Sequence, residues 1–348
     1  MDIDFKSYLR TLTRKVFPKK RVIRMVKLRK EASDRDYYRI FLSGDLTCVA
    51  MILNHLEKDP GILSRIQDSS DIFSSYKIET PALYRSFPKE KVLLIKDAGS
   101  LSLEAYCTKF GTKRCVEVYK NILNLILRIH HSPIPEIAKT KKLWNARFTE
   151  TKFKEELLFF FLHSGLKARL SESSQTVFLQ FFDDVSKSLC QEKFVFTHRD
   201  LHSRNIFIKE DYYKATGVTS LWLDHQDARQ GPWLYDFVSL VKDSYVALSH
   251  KMEMDLITHY LSESESSWGQ TMDEKKFFES YYLTLLQRAL KAAGTFFYQC
   301  REKKNLKYRS YIPIVLKDAL LALSKQKIPN SLFNLFETEL THLMQEIP

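Results

Sequence analysis

The sequence predicts an α+β fold of two lobes, a small antiparallel β-sheet lobe followed by a larger, mainly helical one. Short strand-type runs fill residues 22 to 53, with turn signals at Ser33-Asp34 and Ser43-Gly44-Asp45 between them. From about residue 101 the apolar period becomes helical. A polar segment, Thr197 to Asn205, then interrupts the helical part between two strand-type stretches. The length of 348 residues suits two packed lobes better than one core.

Residues 5 to 17 place Phe5, Leu9, Leu12 and Val16 at helical spacing, with Lys6, Arg10, Arg14 and Lys15 on the remaining surface. Such an amphipathic helix either lies on a membrane or packs on the first lobe. Val22, Ile23, Val26, Tyr37, Tyr38, Ile40, Phe41, Val49, Met51 and Ile52 supply the strands of a hairpin-built sheet. Lys91 to Ile95 adds one more, ended by the break Asp97-Ala98-Gly99. Val116 to Ile129 marks one long helix that stops before Pro133, and residues 152 to 162 and 174 to 190 read as two others. Phe194-Val195-Phe196, Ile206-Phe207-Ile208 and Leu221-Trp222-Leu223 are strands, and residues from about 237 to 343 are mostly helical. The division into lobes falls at 1–97 and 98–348.

Five scattered cysteines without a CxxC pair argue against a zinc site and a disulfide framework, and favour a reducing, cytoplasmic setting. No apolar run approaches the roughly 20 residues of a membrane span. The formal net charge is +12, concentrated early at Arg10, Arg14, Lys15, Lys19, Lys20, Arg21, Arg24, Lys27, Arg29 and Lys30. That run suits a solvated face first, and an anionic lipid surface or phosphorylated ligand second. Specific nucleic-acid recognition is not expected, because no reader motif or aromatic stacking platform accompanies the charge. A cationic acceptor fits such a surface poorly.

The chemistry sits in Thr197-His198-Arg199-Asp200-Leu201-His202-Ser203-Arg204-Asn205. His-Arg-Asp-Leu, three residues, then Asn is the spacing of a kinase catalytic loop. Phosphoryl transfer needs an oriented nucleophile and neutralised phosphate charge rather than covalent help. A carboxylate at Asp200 accepts the hydroxyl's hydrogen bond and later its proton. An amide oxygen at Asn205 is a hard ligand suited to Mg²⁺. Asp224 follows the apolar strand Leu221-Trp222-Leu223 and is the second metal ligand of this pattern. His198 and Arg199 brace the loop. Asp236, just before an apolar helix, is a helix N-cap or a brace of the same loop.

These segments, THRDLHSRN and LDHQDARQGPWLYDFVSLV, resemble the aminoglycoside phosphotransferase-like superfamily with its protein-kinase-like fold. Within it they resemble the bacterial anomeric kinases of N-acetylmuramate and N-acetylglucosamine. ASDRDYYRI, from Ala32 to Ile40, and LLIKDAG, from Leu93 to Gly99, extend the resemblance to the first lobe. The resemblance implies ATP and Mg²⁺ as co-substrate and cofactor, and a small-molecule sugar as acceptor. It implies Asp200 as base, with Asn205 and Asp224 as metal ligands. It places a phosphate-covering hairpin at Ala32 to Tyr38, with Ser33, Asp34, Arg35 and Arg39 as nucleotide-binding residues, and Ile95, Lys96 and Asp97 on the adenine side. Arg204, Gln226 and Asp227 fall near the acceptor. The sequence departs from the pattern at His225, which replaces an aromatic residue, and at Lys96, which replaces a glutamate. The strand Cys48 to Leu53 lacks the phosphate-pairing lysine of protein kinases. Two alternatives stay open on these residues: a lipid-linked, lipopolysaccharide or other alcohol acceptor, and a nucleotide-binding module without catalysis.

Overall fold

The computed structural model describes residues 2–28, 35–54, 59–209 and 220–347. In chain order the elements begin with helix α1 (Asp2–Val16), strands β1 (Val22–Lys27), β2 (Asp36–Leu42) and β3 (Leu46–Ile52), helix α2 (Ile62–Ser75), and strands β4 (Leu83–Phe87) and β5 (Val92–Lys96). Helices α3 (Leu103–Phe110), α4 (Thr112–His131), α5 (Glu136–Thr140), α6 (Glu150–His163), α7 (Leu166–Arg169) and α8 (Glu172–Gln191) follow. Strands β6 (Phe194–Thr197), β7 (Ile206–Ile208), β8 (Ser220–Trp222) and β9 (Arg229–Pro232) come next. The chain ends in α9 (Tyr235–Val241), α10 (His250–Trp268), α11 (Glu274–Arg301), α12 (Ile312–Ser324) and α13 (Asn330–Gln345). These elements gather into two compact units, the first of residues 1–101, 135–142 and 207–226, the second of 102–134, 143–206 and 227–348.

The first unit is built on an antiparallel sheet of order β1-β2-β3-β5-β4. Strand β3 shows why both faces are covered. Its alternation sends Cys48, Ala50 and Ile52 into one core and Val49 into another. Leu9 and Leu12 of α1 pack on the first face, and Ile62 and Ile66 of α2 on the second. The apolar stripe of α1 is therefore consumed by the sheet, while Arg10, Arg14 and Lys15 stay exposed. Of the two fates open to this helix, packing is the one observed. Helix α2 and strand β4 had no counterpart in the sequence reading.

The second unit is helical, with α11 as its central rod, packed against α6, α8, α9 and α12. Helix α11 buries Phe277, Tyr281, Leu285, Leu286, Leu290 and Phe297, and it also buries the polar Gln287. Strand β6 pairs antiparallel with β9, Thr197 opposite Arg229. One expectation needs correction. Gly111, at φ +80°, turns α3 back beside the first turn of α4. That turn brings Cys107 and Cys115 to a Cα separation of 5.7 Å, where they form a disulfide.

Candidate active site

In the second unit, strand β6 delivers the chain to His198 and stops. Arg199 adopts φ +79°, a left-handed conformation uncommon for a side chain of this size. The turn persists because its backbone is held from several directions. Asp236 accepts from the His198 amide at 2.6 Å and from the Arg199 amide at 3.0 Å. Asp243, just past α9, accepts from the Ser203 amide at 2.7 Å. Arg288 of α11 donates to the Arg199 carbonyl at 3.0 Å. Asp236 is not the N-cap of α9, as one sequence reading had it. The helix begins at Tyr235 with Leu234 in the cap position, so the carboxylate sits inside the first turn and serves the loop instead. Burial pushes its pKa up to about 7, against the pull of the two amides.

Asp200 faces two cations from α11. Lys291 Nζ lies 2.9 Å from its Oδ1, and Arg288 Nη1 lies 3.7 Å away. Burial alone would raise the Asp200 pKa, but Lys291, Arg199 and Arg288 hold it well below the usual carboxylate range. Arg199 turns to buried Glu156 at 3.0 Å and, more distantly, to Asp227 at 3.9 Å. Gln287 donates to the other oxygen of Glu156 at 2.7 Å. Burial opposes the charge on Glu156, yet Lys291 and Arg199 keep its pKa below normal. Asn205 donates its amide N–H to the Asp200 carbonyl at 2.9 Å, which leaves its Oδ1 as an oxygen donor. Arg204 bonds both oxygens of Glu104, at 2.9 and 2.8 Å, donates to Tyr311 Oη at 2.9 Å and stacks on Tyr245.

In the first unit, β8 ends at Trp222, and Asp224 follows at φ +60°. Its Oδ1 accepts from Arg35 at 2.8 Å and from the Gln226 amide at 3.0 Å. His225 explains its departure from the family pattern, since its Nδ1 shares a 2.6 Å hydrogen bond with Ser69 of α2 and its ring meets Phe73 edge-on. Arg39 clasps Asp97 through two contacts of 2.7 and 3.0 Å and donates to the Gly99 carbonyl. Ile95 and Lys96 pair with Val49 and Cys48 of β3, with Lys96 exposed. Ser33 and Asp34 lie outside the described residues.

Within each unit, then, some sequence-singled residues meet: Asp200 with Asn205, Arg199 with Asp227, and Asp224 with Arg35 and Gln226. Lys291, Arg288, Glu156 and Glu104 were missed. The signal for the α11 pair was two cations, Arg288 and Lys291, set inside the mostly apolar stretch from Leu285 to Phe297. Among the described residues no three His, Cys, Asp or Glu side chains cluster as a metal centre.

Residues 111–272 match the sequence profile of the phosphotransferase enzyme family. The N-acetylmuramate/N-acetylglucosamine kinase of Neisseria meningitidis is 30% identical over 168 residues, 47% of this chain and 48% of that protein. The chain thus matches about half the length of that relative. The protein of the same name from Pseudomonas aeruginosa is 22% identical over 81% of this chain and 79% of its own length. Among solved structures, the choline kinase LicA from Streptococcus pneumoniae superposes with a TM-score of 0.62 at 12% identity, over 93% of this chain and 100% of that one. LicA in complex with AMP gives 0.56 at 12% identity, covering 90% and 99%. The GDP complex of wild-type aminoglycoside 2'-phosphotransferase-IIIa gives 0.61 at 14%, covering 90% and 98%. The protein-kinase-like fold class and the resemblance to aminoglycoside phosphotransferase-like enzymes are both borne out.

Proposed function

We propose that this protein is an ATP- and magnesium-dependent phosphotransferase with an alcohol acceptor. The acceptor is a sugar hydroxyl, the anomeric one of an amino sugar such as N-acetylmuramate or N-acetylglucosamine. The observation that carries this reading is Asp200, an ionised carboxylate on a loop whose amides are fixed by Asp236 and Asp243. The named relatives and the AMP-bound structural neighbour support a sugar acceptor and an adenine nucleotide.

Under this reading Asp200 orients the acceptor hydroxyl and takes its proton. The hydroxyl oxygen forms the new bond to the γ-phosphorus, the bond from that phosphorus to the bridging oxygen breaks, and ADP leaves. The Asn205 amide oxygen and the Asp224 carboxylate, both hard oxygen donors, would hold Mg²⁺, which when bound neutralises phosphate charge. Arg35, already at Asp224, is the described residue best suited to stand in for the absent β3 lysine. An ADP-release assay with Mg·ATP and a panel of free sugars tests the reading, with Asp200→Asn beside it. Turnover that requires both a sugar and Asp200 is expected. Equal turnover by Asp200→Asn would remove its role as base.

A further inference from the structure

Two lysines of the second unit make opposite arrangements. Lys242 has two carboxylates, Glu253 at 3.1 Å and Asp318 at 2.9 Å, and is a satisfied structural cation. At Asp200 the ratio is inverted, for one carboxylate serves two cations, Lys291 at 2.9 Å and Arg288 at 3.7 Å. Among the described residues Asp200 is the sole hydrogen-bond acceptor of Lys291 Nζ, a group with three donors. Arg288 spends Nη1 on the Arg199 carbonyl and Tyr235 Oη, but its buried Nε has no acceptor among the described residues. Glu156 acts on both cations through space, but among the described residues it makes no direct contact with either. Glu156 and Asp227 are occupied by Arg199, and Arg229 Nη2 lies 4.0 Å from Asp227. Burying cations with fewer anions than they can hold is costly unless a ligand completes them.

We propose that Lys291, seconded by Arg288, binds an anionic oxygen of the reacting pair beside Asp200. The proposal rests on the reading of Asp200 as the base and deepens it. Once Asp200 takes the hydroxyl proton its charge is cancelled, and the two cations then require a new anion. Two sources share that chemistry. One is the transferred phosphoryl group. The other is a carboxylate on the acceptor, which N-acetylmuramate carries on its lactyl ether and N-acetylglucosamine lacks.

Inorganic phosphate binding, measured by equilibrium dialysis, tests the cation pair without turnover. Asp200→Asn removes the resident anion and is expected to bind phosphate about tenfold more tightly than the unmodified protein, as one vacated charge contact implies. Asp200→Asn combined with Lys291→Gln is expected to lose that gain. No tightening, or a gain that survives Lys291→Gln, overturns the proposal. Turnover then separates the sources. A KM raised only for the carboxylate sugar in Lys291→Gln assigns the anion to the acceptor. An equal fall in kcat on both sugars assigns it to the phosphoryl group, and in either case Lys291→Arg recovers part of the loss. A kcat/KM within twofold of the unmodified protein on both sugars also overturns it. Should no sugar be turned over at all, the proposed acceptor class fails while the phosphate measurement still decides this inference.

Discussion

Gly294→Ala probes whether the spacing of α6 and α11 governs the site. A Cβ at position 294 would lie 2.7 Å from Phe160 Cα and 2.8 Å from Phe160 N, both backbone atoms that no rotamer change can move. Carbon contacts settle near 3.5–4.0 Å, so the helices would have to part locally by roughly 1 Å. Overpacking of that kind costs about 1–3 kcal/mol. Alanine returns about 1 kcal/mol through its helix preference. The balance is a destabilisation of about 0–2 kcal/mol, where the same change in an uncrowded helix would stabilise by about 1 kcal/mol. Lys291 stands three residues back on the same helix side, so its 2.9 Å contact with Asp200 would stretch with the helix. Urea unfolding followed by tryptophan fluorescence measures the first effect, and Mg·ATP turnover at a temperature where the variant is folded measures the second. A fall in turnover of about tenfold is expected, corresponding to a loss of ~1.4 kcal/mol in the transition state. Stabilisation by about 1 kcal/mol with unchanged turnover would refute the claim that this glycine sets the helix spacing.

Two further outcomes follow from the loop's supports. Glu156→Gln removes the close ion pair of the buried Arg199 and leaves it Asp227 at 3.9 Å and the field of Asp200, and should destabilise the protein by about 3 kcal/mol in chemical denaturation; a loss below about 1 kcal/mol would show that the remaining carboxylates suffice. Asp236 has a folded pKa raised to about 7 by burial, so the stability it contributes is complete below its unfolded value near 4 and is lost as pH rises through about 7. The melting temperature of the unmodified protein minus that of Asp236→Asn should therefore fall between pH 5 and pH 8, and a flat difference would mean that Asp236 does not titrate in this range.

The legible part of the site is the part that chain-local geometry creates. Asp200 and Asn205 share one loop, and the strand–turn pattern before Asp224 is written in consecutive residues. The supports of the loop are written elsewhere. Glu156 and Lys291 reach it from α6 and α11, and in sequence a helical Lys or Glu looks the same whether it faces water or a buried aspartate. Asp236 was recognised as a brace, but its position relative to the helix start was not, because caps and first-turn acids share the same composition. In the fold, β1 to β3 were evident from β-branched and aromatic runs. Helix α2 was not, since Ser64, Ser69, Ser70 and Ser74 dilute the apolar spacing of Ile62, Ile66, Ile72 and Phe73. The Cys107–Cys115 pairing depends on the turn at Gly111, and spacing alone does not announce it.

The electrostatics of Asp200 look at first to oppose a role as base, since Lys291, Arg199 and Arg288 depress its proton affinity. A strong base is not what phosphoryl transfer asks for. Its loose transition state leaves the proton on the attacking hydroxyl until late, so a fixed, ionised hydrogen-bond acceptor does more than a basic one. The cations that weaken Asp200 also favour its charged form, holding its pKa well below the usual carboxylate range. Where the transferred phosphoryl group is the anion that the α11 cations bind, negative charge disappears from Asp200 as it accumulates on the product phosphate, and those cations need only exchange one anion for the other. A site arranged in this way keeps its local charge nearly constant through the reaction. That constancy limits the reorganisation the surrounding protein must make.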